Sequence, residues 1–201
     1  IGSLPKALAK NANYDVRVAI PLYASVDYAW RERFTFVGNF NVPLAWRNQY
    51  CGVYSYKYQG VTFYFIDNEY YFKRKGLYGH GDDGERFAFF SKAVLEMMRY
   101  LDYYPDLMHS HDWQSALSVI YLKTLFAGKY GYENVRALFT IHNIEYQGKF
   151  GFDVLGDVFG LGEDVRDIVE YDGCINLMKG AIQVAEKFST VSRTYASEIK
   201  H

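Results

Sequence analysis

Cysteine is scarce in this chain: Cys51 and Cys174 are the only two among 201 residues, far apart and in no C-x-x-C spacing. That speaks against a disulfide framework or a zinc site and fits a reducing cytoplasm. An excess of one charge is also missing. Lys and Arg total 22 against 23 Asp and Glu, so neither nucleic acid nor an anionic membrane is expected as a partner. No apolar run approaches the roughly 18 to 20 residues that span a bilayer, and no charged segment followed by an apolar stretch opens the chain. There is no G-x-S-x-G nucleophile elbow, and we read no P-loop or dinucleotide-binding glycine cradle. What is present is apolar and aromatic: 50% and 19% of the residues, enough for a chain of this length to bury about 70% of its unfolded surface. Disorder is excluded.

The periodicity changes along the chain. Leu4, Ala7 and Leu8 repeat at helical spacing, Asn11 to Asn13 break the helix, and Val16 to Ile20 read as a buried strand. From Phe34 to Asp67 aromatic and β-branched residues alternate, with turns expected at Gly38-Asn39 and Gln59-Gly60, which predicts antiparallel hairpins inserted into an α/β frame. Helical spacing returns at 85–101, with Phe87, Phe90, Val94, Met97, Met98 and Leu101 on one face and Glu85, Arg86, Lys92 and Arg99 mostly off it. Pro105 stops that helix. A strand at 106–111, a helix at 113–127 and a strand at 135–142 follow. Two or three shorter helices then lead to a strand at 188–191 and a final helix. Such alternation predicts an open parallel sheet with helices on both faces, hence fold class α/β.

In such sheets ligands bind beyond the carboxyl ends of the strands. Two ends are unusually polar: His109-Ser110-His111-Asp112-Trp113-Gln114 and Thr140-Ile141-His142-Asn143-Ile144-Glu145-Tyr146-Gln147-Gly148. Imidazoles, planar hydrogen-bonding groups and aromatic rings at the lip of a sheet suit a hydroxyl-rich ligand, the rings packing on apolar sugar faces. The plainer alternative makes Asp112 and Asn143 caps of the following helices and lets the histidines satisfy buried backbone groups. We place His109 and His111 on opposite faces of their strand, one toward the cleft and one toward the covering helix. That placement argues against a metal site. A third polar segment, from Asp67 to Gly84, reads as a surface loop in which Tyr78, flanked by glycines, can expose a ring.

The ordered set Gly2-Ser3-Leu4-Pro5-Lys6-Ala7-Leu8, Asp67-Asn68-Glu69-Tyr70, Leu77-Tyr78-Gly79, the two polar strand ends through Lys149-Phe150, Asn176-Leu177-Met178-Lys179-Gly180-Ala181-Ile182 and Thr190-Val191-Ser192-Arg193-Thr194-Tyr195-Ala196 resembles the bacterial glycogen synthases and plant starch synthases. The resemblance implies a retaining glucosyltransferase with two Rossmann-like lobes, moving glucose from ADP-glucose to an α-1,4-glucan acceptor without a further cofactor. It makes this chain, residues 1–201, the amino-terminal lobe. The family's first strand and Lys-Thr-Gly-Gly-Leu loop are expected upstream, and the lobe holding most of the nucleotide sugar is expected downstream. Localisation would be cytoplasmic, or plastidial in a plant.

Carried over residue by residue, the resemblance implies that His142 and Asp112 are catalytic and lie near the transferred glucose. Asn143 and Trp113 would support that wall, and Tyr78 and Tyr146 would bind sugar. Two rival readings are a non-catalytic glucan-binding module, with exposed tyrosines and Trp113 as stacking platforms, and a related two-lobed glycosyltransferase using another nucleotide sugar.

Overall fold

The computed structural model describes residues 2–199. Ile1, at the head of the first expected helix, lies outside them. The chain forms two compact units: the residues up to Val42 with Gln49–His80, and Pro43–Asn48 with the chain from Gly81 onward.

The first unit contains α1 (Leu4–Leu8), β1 (Arg17–Pro21), α2 (Tyr28–Arg31), β2 (Thr35–Leu44), β3 (Arg47–Tyr58), β4 (Val61–Asp67) and α3 (Glu69–Phe72), the tip of the β2–β3 hairpin belonging to the second unit. Its sheet has the order β1-β4-β3-β2. β4 runs antiparallel to β3 and parallel to β1. The alternating region is thus a β2–β3 hairpin inserted in sequence between the parallel strands β1 and β4, and it joins their sheet to make a mixed one. Alternate side chains share a face and gather as rings, with Phe34 stacked on Phe65 at 4.0 Å and Phe36 against Tyr54 at 5.2 Å. The turn expected at Gln59-Gly60 forms, but β2 runs straight through Gly38-Asn39 and the chain reverses at Ala45-Trp46. Ala45 takes a left-handed φ of 51°, which its Cβ disfavours. Val42 and Leu44, both fully buried just before it, extend the strand past the glycine. Cys51 is buried in β3, where loss of solvent and the charge of Asp67 push its thiol up to about 12.

The second unit contains α4 (Asp83–Tyr100), β5 (Leu107–His111), α5 (Ala116–Lys123), β6 (Arg136–Ile141), β7 (Lys149–Phe150), α6 (Asp153–Asp157), α7 (Arg166–Val169), β8 (Glu170–Tyr171), β9 (Cys174–Asn176), α8 (Leu177–Val184), β10 (Lys187–Thr190) and α9 (Arg193–Glu198). The parallel sheet is three-stranded, in the order β10-β6-β5. The α/β class holds, because helical crossovers join these parallel strands. A small antiparallel sheet, β7-β9-β8, was not anticipated; strands of two or three residues leave no period to read. α5 packs on α4 and α8. Gly180 permits the α8 approach, since a Cβ there would meet Ile120 Cδ1 at 2.9 Å. α5 ends at Lys123, short of the expected 127, where Thr124 Oγ1 donates to the Ile120 carbonyl at 2.7 Å. Among the described residues no helix is long and apolar enough to cross a membrane.

α4 buries Phe87, Phe90, Met97 and Met98 as expected, but it also buries Ala88, Phe89, Leu95 and the whole of Arg86. Arg86 was placed off the apolar face. It is instead ion-paired with Asp83, one turn earlier, and stands over the Phe87 ring at 5.4 Å. A buried guanidinium is tolerable only with such a partner, and removing one member strands the other. Arg86→Ala is expected to lower unfolding free energy by about 3 kcal/mol or more, read from the urea midpoint. Unchanged stability would contradict a buried ion pair.

Candidate functional site

The ends of β5 and β6 are held together by Asp112. Its backbone is unusual for a residue with a side chain, φ 56° and ψ 176°, a region nearly reserved for glycine that costs about 1–3 kcal/mol. Every polar backbone group of this residue is bonded: its N–H donates to the Thr140 carbonyl at 3.0 Å and its carbonyl accepts from Ser115 N–H at 3.1 Å. Carboxylate Oδ1 accepts from the backbone N–H of His142 at 2.7 Å and of Asn143 at 3.2 Å. These bonds offset the strain and clasp two adjacent strand tips. The capping alternative does not describe the site, since the Asp112 side chain makes no cap bond to the short 3-10 turn Trp113–Ser115 that follows. Asn143 Oδ1 accepts from Glu145 N–H at 3.0 Å, closing a local turn with no helix behind it.

The histidines form one cluster. His109 and His111 lie ring to ring, centroids 4.1 Å apart, so the expectation that they face opposite ways is wrong. Positions two apart on a strand share a face; it is neighbours that diverge. His111 Nδ1 meets His142 Nε2 at 3.1 Å, and His109 Nε2 meets Thr140 Oγ1 at 2.7 Å, itself 2.8 Å from Ser189 Oγ. Register explains the convergence: His111 and Ser189 both lie opposite Thr140, on the strands flanking β6. Burial, then the charges of His109 and His142, lower the His111 pKa from 6.5 to about 3. Burial and then His142 lower that of His109. Among the described residues no group of three or more His, Cys, Asp or Glu is arranged to hold a metal ion.

The remaining candidates divide. Trp113 is buried, edge-on to Phe87 at 5.3 Å and against Phe150 at 5.9 Å. Its indole is enclosed and offers no stacking face. Gly148 crosses it with φ 68°, and any Cβ there would meet the indole at 2.8 Å. Tyr146 is exposed on the loop after β6, and Tyr78 is exposed in the first unit. The loop from His142 to Gly148 has anchors that the sequence reading gave no role. Tyr195 Oη accepts from Ile144 N–H at 2.8 Å, Asn176 Nδ2 donates to Gln147 Oε1 at 2.7 Å, and Leu177 N–H donates to the Gly148 carbonyl at 3.1 Å. The Asn176 and Tyr195 segments had entered only as carriers of the family resemblance. G-x-G-x-x-G spacing does occur, at residues 79–84, but it follows α3 and not a strand, so the dinucleotide-binding context is absent.

Comparison with known proteins gives one answer. A family profile described as the starch synthase catalytic domain matches residues 1–201. A glycogen synthase of Desulforamulus reducens is 46% identical over 202 residues, covering 100% of this chain and 42% of the relative. One of Clostridium acetobutylicum is 48% identical, covering 98% and 42%. The catalytic domain of starch synthase IV from Arabidopsis thaliana, solved bound to ADP and acarbose, matches with a TM-score of 0.86 at 30% identity, over 98% of this chain and 42% of that one. The chain thus spans about 42% of the length of the curated relatives it matches.

Imidazoles held neutral in the folded state imply a definite pH response. The unfolded chain takes up protons near 6.5 that folded His111 refuses until about 3. Within that window the unfolded state binds more protons, so stability rises with pH and is lost on acidification. His111→Asn is expected to flatten the acid limb of urea midpoint against pH between 6.5 and about 3; an unchanged limb would contradict a neutral His111.

Proposed function

Because the chain belongs to the starch synthase catalytic-domain family, we propose that it is the acceptor-side lobe of a retaining glucosyltransferase that extends an α-1,4-glucan from ADP-glucose, with most of the nucleotide-sugar site on a second lobe. The observation that supports this reading is the Asp112 clasp, which holds the backbone of the half-buried His142 and the exposed Asn143 just beyond the end of β6. ADP and acarbose bound to the Arabidopsis relative support both the nucleotide and the glucan. A cytoplasmic enzyme, or a plastidial one in a plant, accords with two free cysteines.

His142 acts by position. One imidazole nitrogen is tied to His111, and the other is free to hydrogen-bond a hydroxyl of the transferred glucose while positive charge develops at its anomeric carbon. No proton transfer by His142 is required. Asp112 Oδ1 is spent on the two amides, which leaves Oδ2 for a sugar hydroxyl and puts negative charge near an oxocarbenium-like centre. It is not a nucleophile, and the two-carboxylate logic of glycoside hydrolases does not apply. Asn143 and Tyr146 continue the sugar-facing wall and Trp113 backs it; Tyr78, exposed in the first unit, keeps by itself the sugar-binding role that the resemblance implies. Burial of Trp113 removes a stacking platform from the rival glucan-binding-module reading.

In the complete enzyme, His142→Ala is expected to reduce kcat by about a hundredfold, the loss typical of one preorganised donor; wild-type turnover would refute the role. Closure of two lobes is needed to keep water from an activated glucosyl group. Residues 1–201 assayed alone should therefore show no glucosyl transfer from ADP-glucose, and robust turnover would overturn the acceptor-lobe assignment.

A further inference from the structure

The proposed roles leave His111 unused, although it is the more tightly held of the two histidines that meet at the strand tips. Ser115 latches its backbone from both sides: His111 N–H donates to Ser115 Oγ at 2.6 Å and that hydroxyl donates to the His111 carbonyl at 2.7 Å. Its ring packs against that of His109, tilted by 38°. The next residue, Asp112, is fixed by the clasp. With backbone and ring face both restrained, Nδ1 points at His142 Nε2 at 3.1 Å.

We propose that His111 is a positioning residue for glucosyl transfer, holding the His142 ring by Nε2 so that Nδ1 is the nitrogen presented to the sugar. A neutral imidazole has one N–H and one bare nitrogen. Burial beside two other imidazoles keeps His111 neutral, and its bond to His142 couples the two rings, the nitrogen of one donating where that of the other accepts. His142 Nδ1 has no partner among the described residues. The ring of His142 would otherwise turn about its side-chain bonds, and angular freedom at a group that must meet one hydroxyl is costly in rate. This inference rests on the role proposed for His142.

The test uses the complete enzyme, with kcat and the KM for ADP-glucose measured for His111→Phe and His111→Asn, each alone and combined with His142→Ala. Phenylalanine keeps a flat ring against His109 but has no hydrogen-bonding atom. The asparagine amide places a polar atom close to the position of Nδ1. Expected for His111→Phe is a loss in kcat of about ten- to a hundredfold with KM changed by less than about threefold, with His111→Asn restoring kcat to within about fivefold of wild type. In the His142→Ala background the phenylalanine change should cost less than about threefold, because a residue acting through another is silent once that other is gone. A fold defect would persist in that background.

Wild-type kcat in His111→Phe, no recovery with asparagine, or an undiminished loss beside His142→Ala would each overturn the inference. Should the phenylalanine variant not fold, asparagine decides: turnover about tenfold or more below wild type overturns it. If His142→Ala itself turns over normally, the site reading fails. If only His142→Ala is impaired, the reading stands and the inference on His111 falls.

Discussion

One carboxylate oxygen holds the arrangement together. Asp112 Oδ1 accepts two backbone amides from the end of the neighbouring strand, and those amides lie beyond the last residue of β6, where no strand partner remains to satisfy them. A charged acceptor is roughly twice as strong as a neutral one at such a position. It also fixes the direction in which the chain leaves the sheet. His142, Asn143 and the loop to Gly148 take their places from that exit, and Asp112 pays for its own φ of 56° through the bonds it makes. A residue lacking a short acceptor side chain would lose both the tolerance for this conformation and the reach.

Behind the clasp lies a polar seam that crosses the parallel sheet to its β10 edge. It runs from Ser189 through Thr140 to His109, and by ring contact to His111 and His142. Hydroxyls and neutral imidazoles each donate and accept, so such a seam can be satisfied internally without burying a net charge. Low pKa values at His109 and His111 are its electrostatic signature. The surrounding packing is rigid: Trp113 is wedged between Phe87, Phe150 and Gly148, and Tyr121 of α5 is fully buried with its hydroxyl on the Phe159 carbonyl at 2.7 Å. Close packing under a polar lip suits the orienting role proposed for His142.

Much of this was legible in the residues, because strand ends announce themselves. A β-branched and aromatic run that stops at His142 marked β6, and the short stretch after Pro105 marked β5, each within a residue or two; the rule that ligands bind at strand ends singled out the two polar segments, and the family resemblance chose Asp112, His142 and Asn143 within them. Illegible features depended on partners distant in sequence. The burial of Trp113 follows from Gly148 and Phe150, and the turn at Ala45 carries no turn chemistry. The fate of Arg86 depended on how many faces of α4 are covered. Opposite orientations for His109 and His111 came from misapplying the strand period. Applied correctly, it puts both imidazoles on one side and points to the cluster. Tyr78 lies in the other compact unit, beyond the reach of any argument from the sheet ends.

The crystal structure of the Asp112→Ala variant of the complete enzyme, with glucan bound, tests the central claim most directly. Loss of the acceptor should move the His142–Asn143 backbone by about 1 Å or more, a displacement large enough to cost about a hundredfold in rate, and open the contact between His111 and His142. An unmoved strand end with that contact intact would show that something other than this carboxylate places His142 and Asn143.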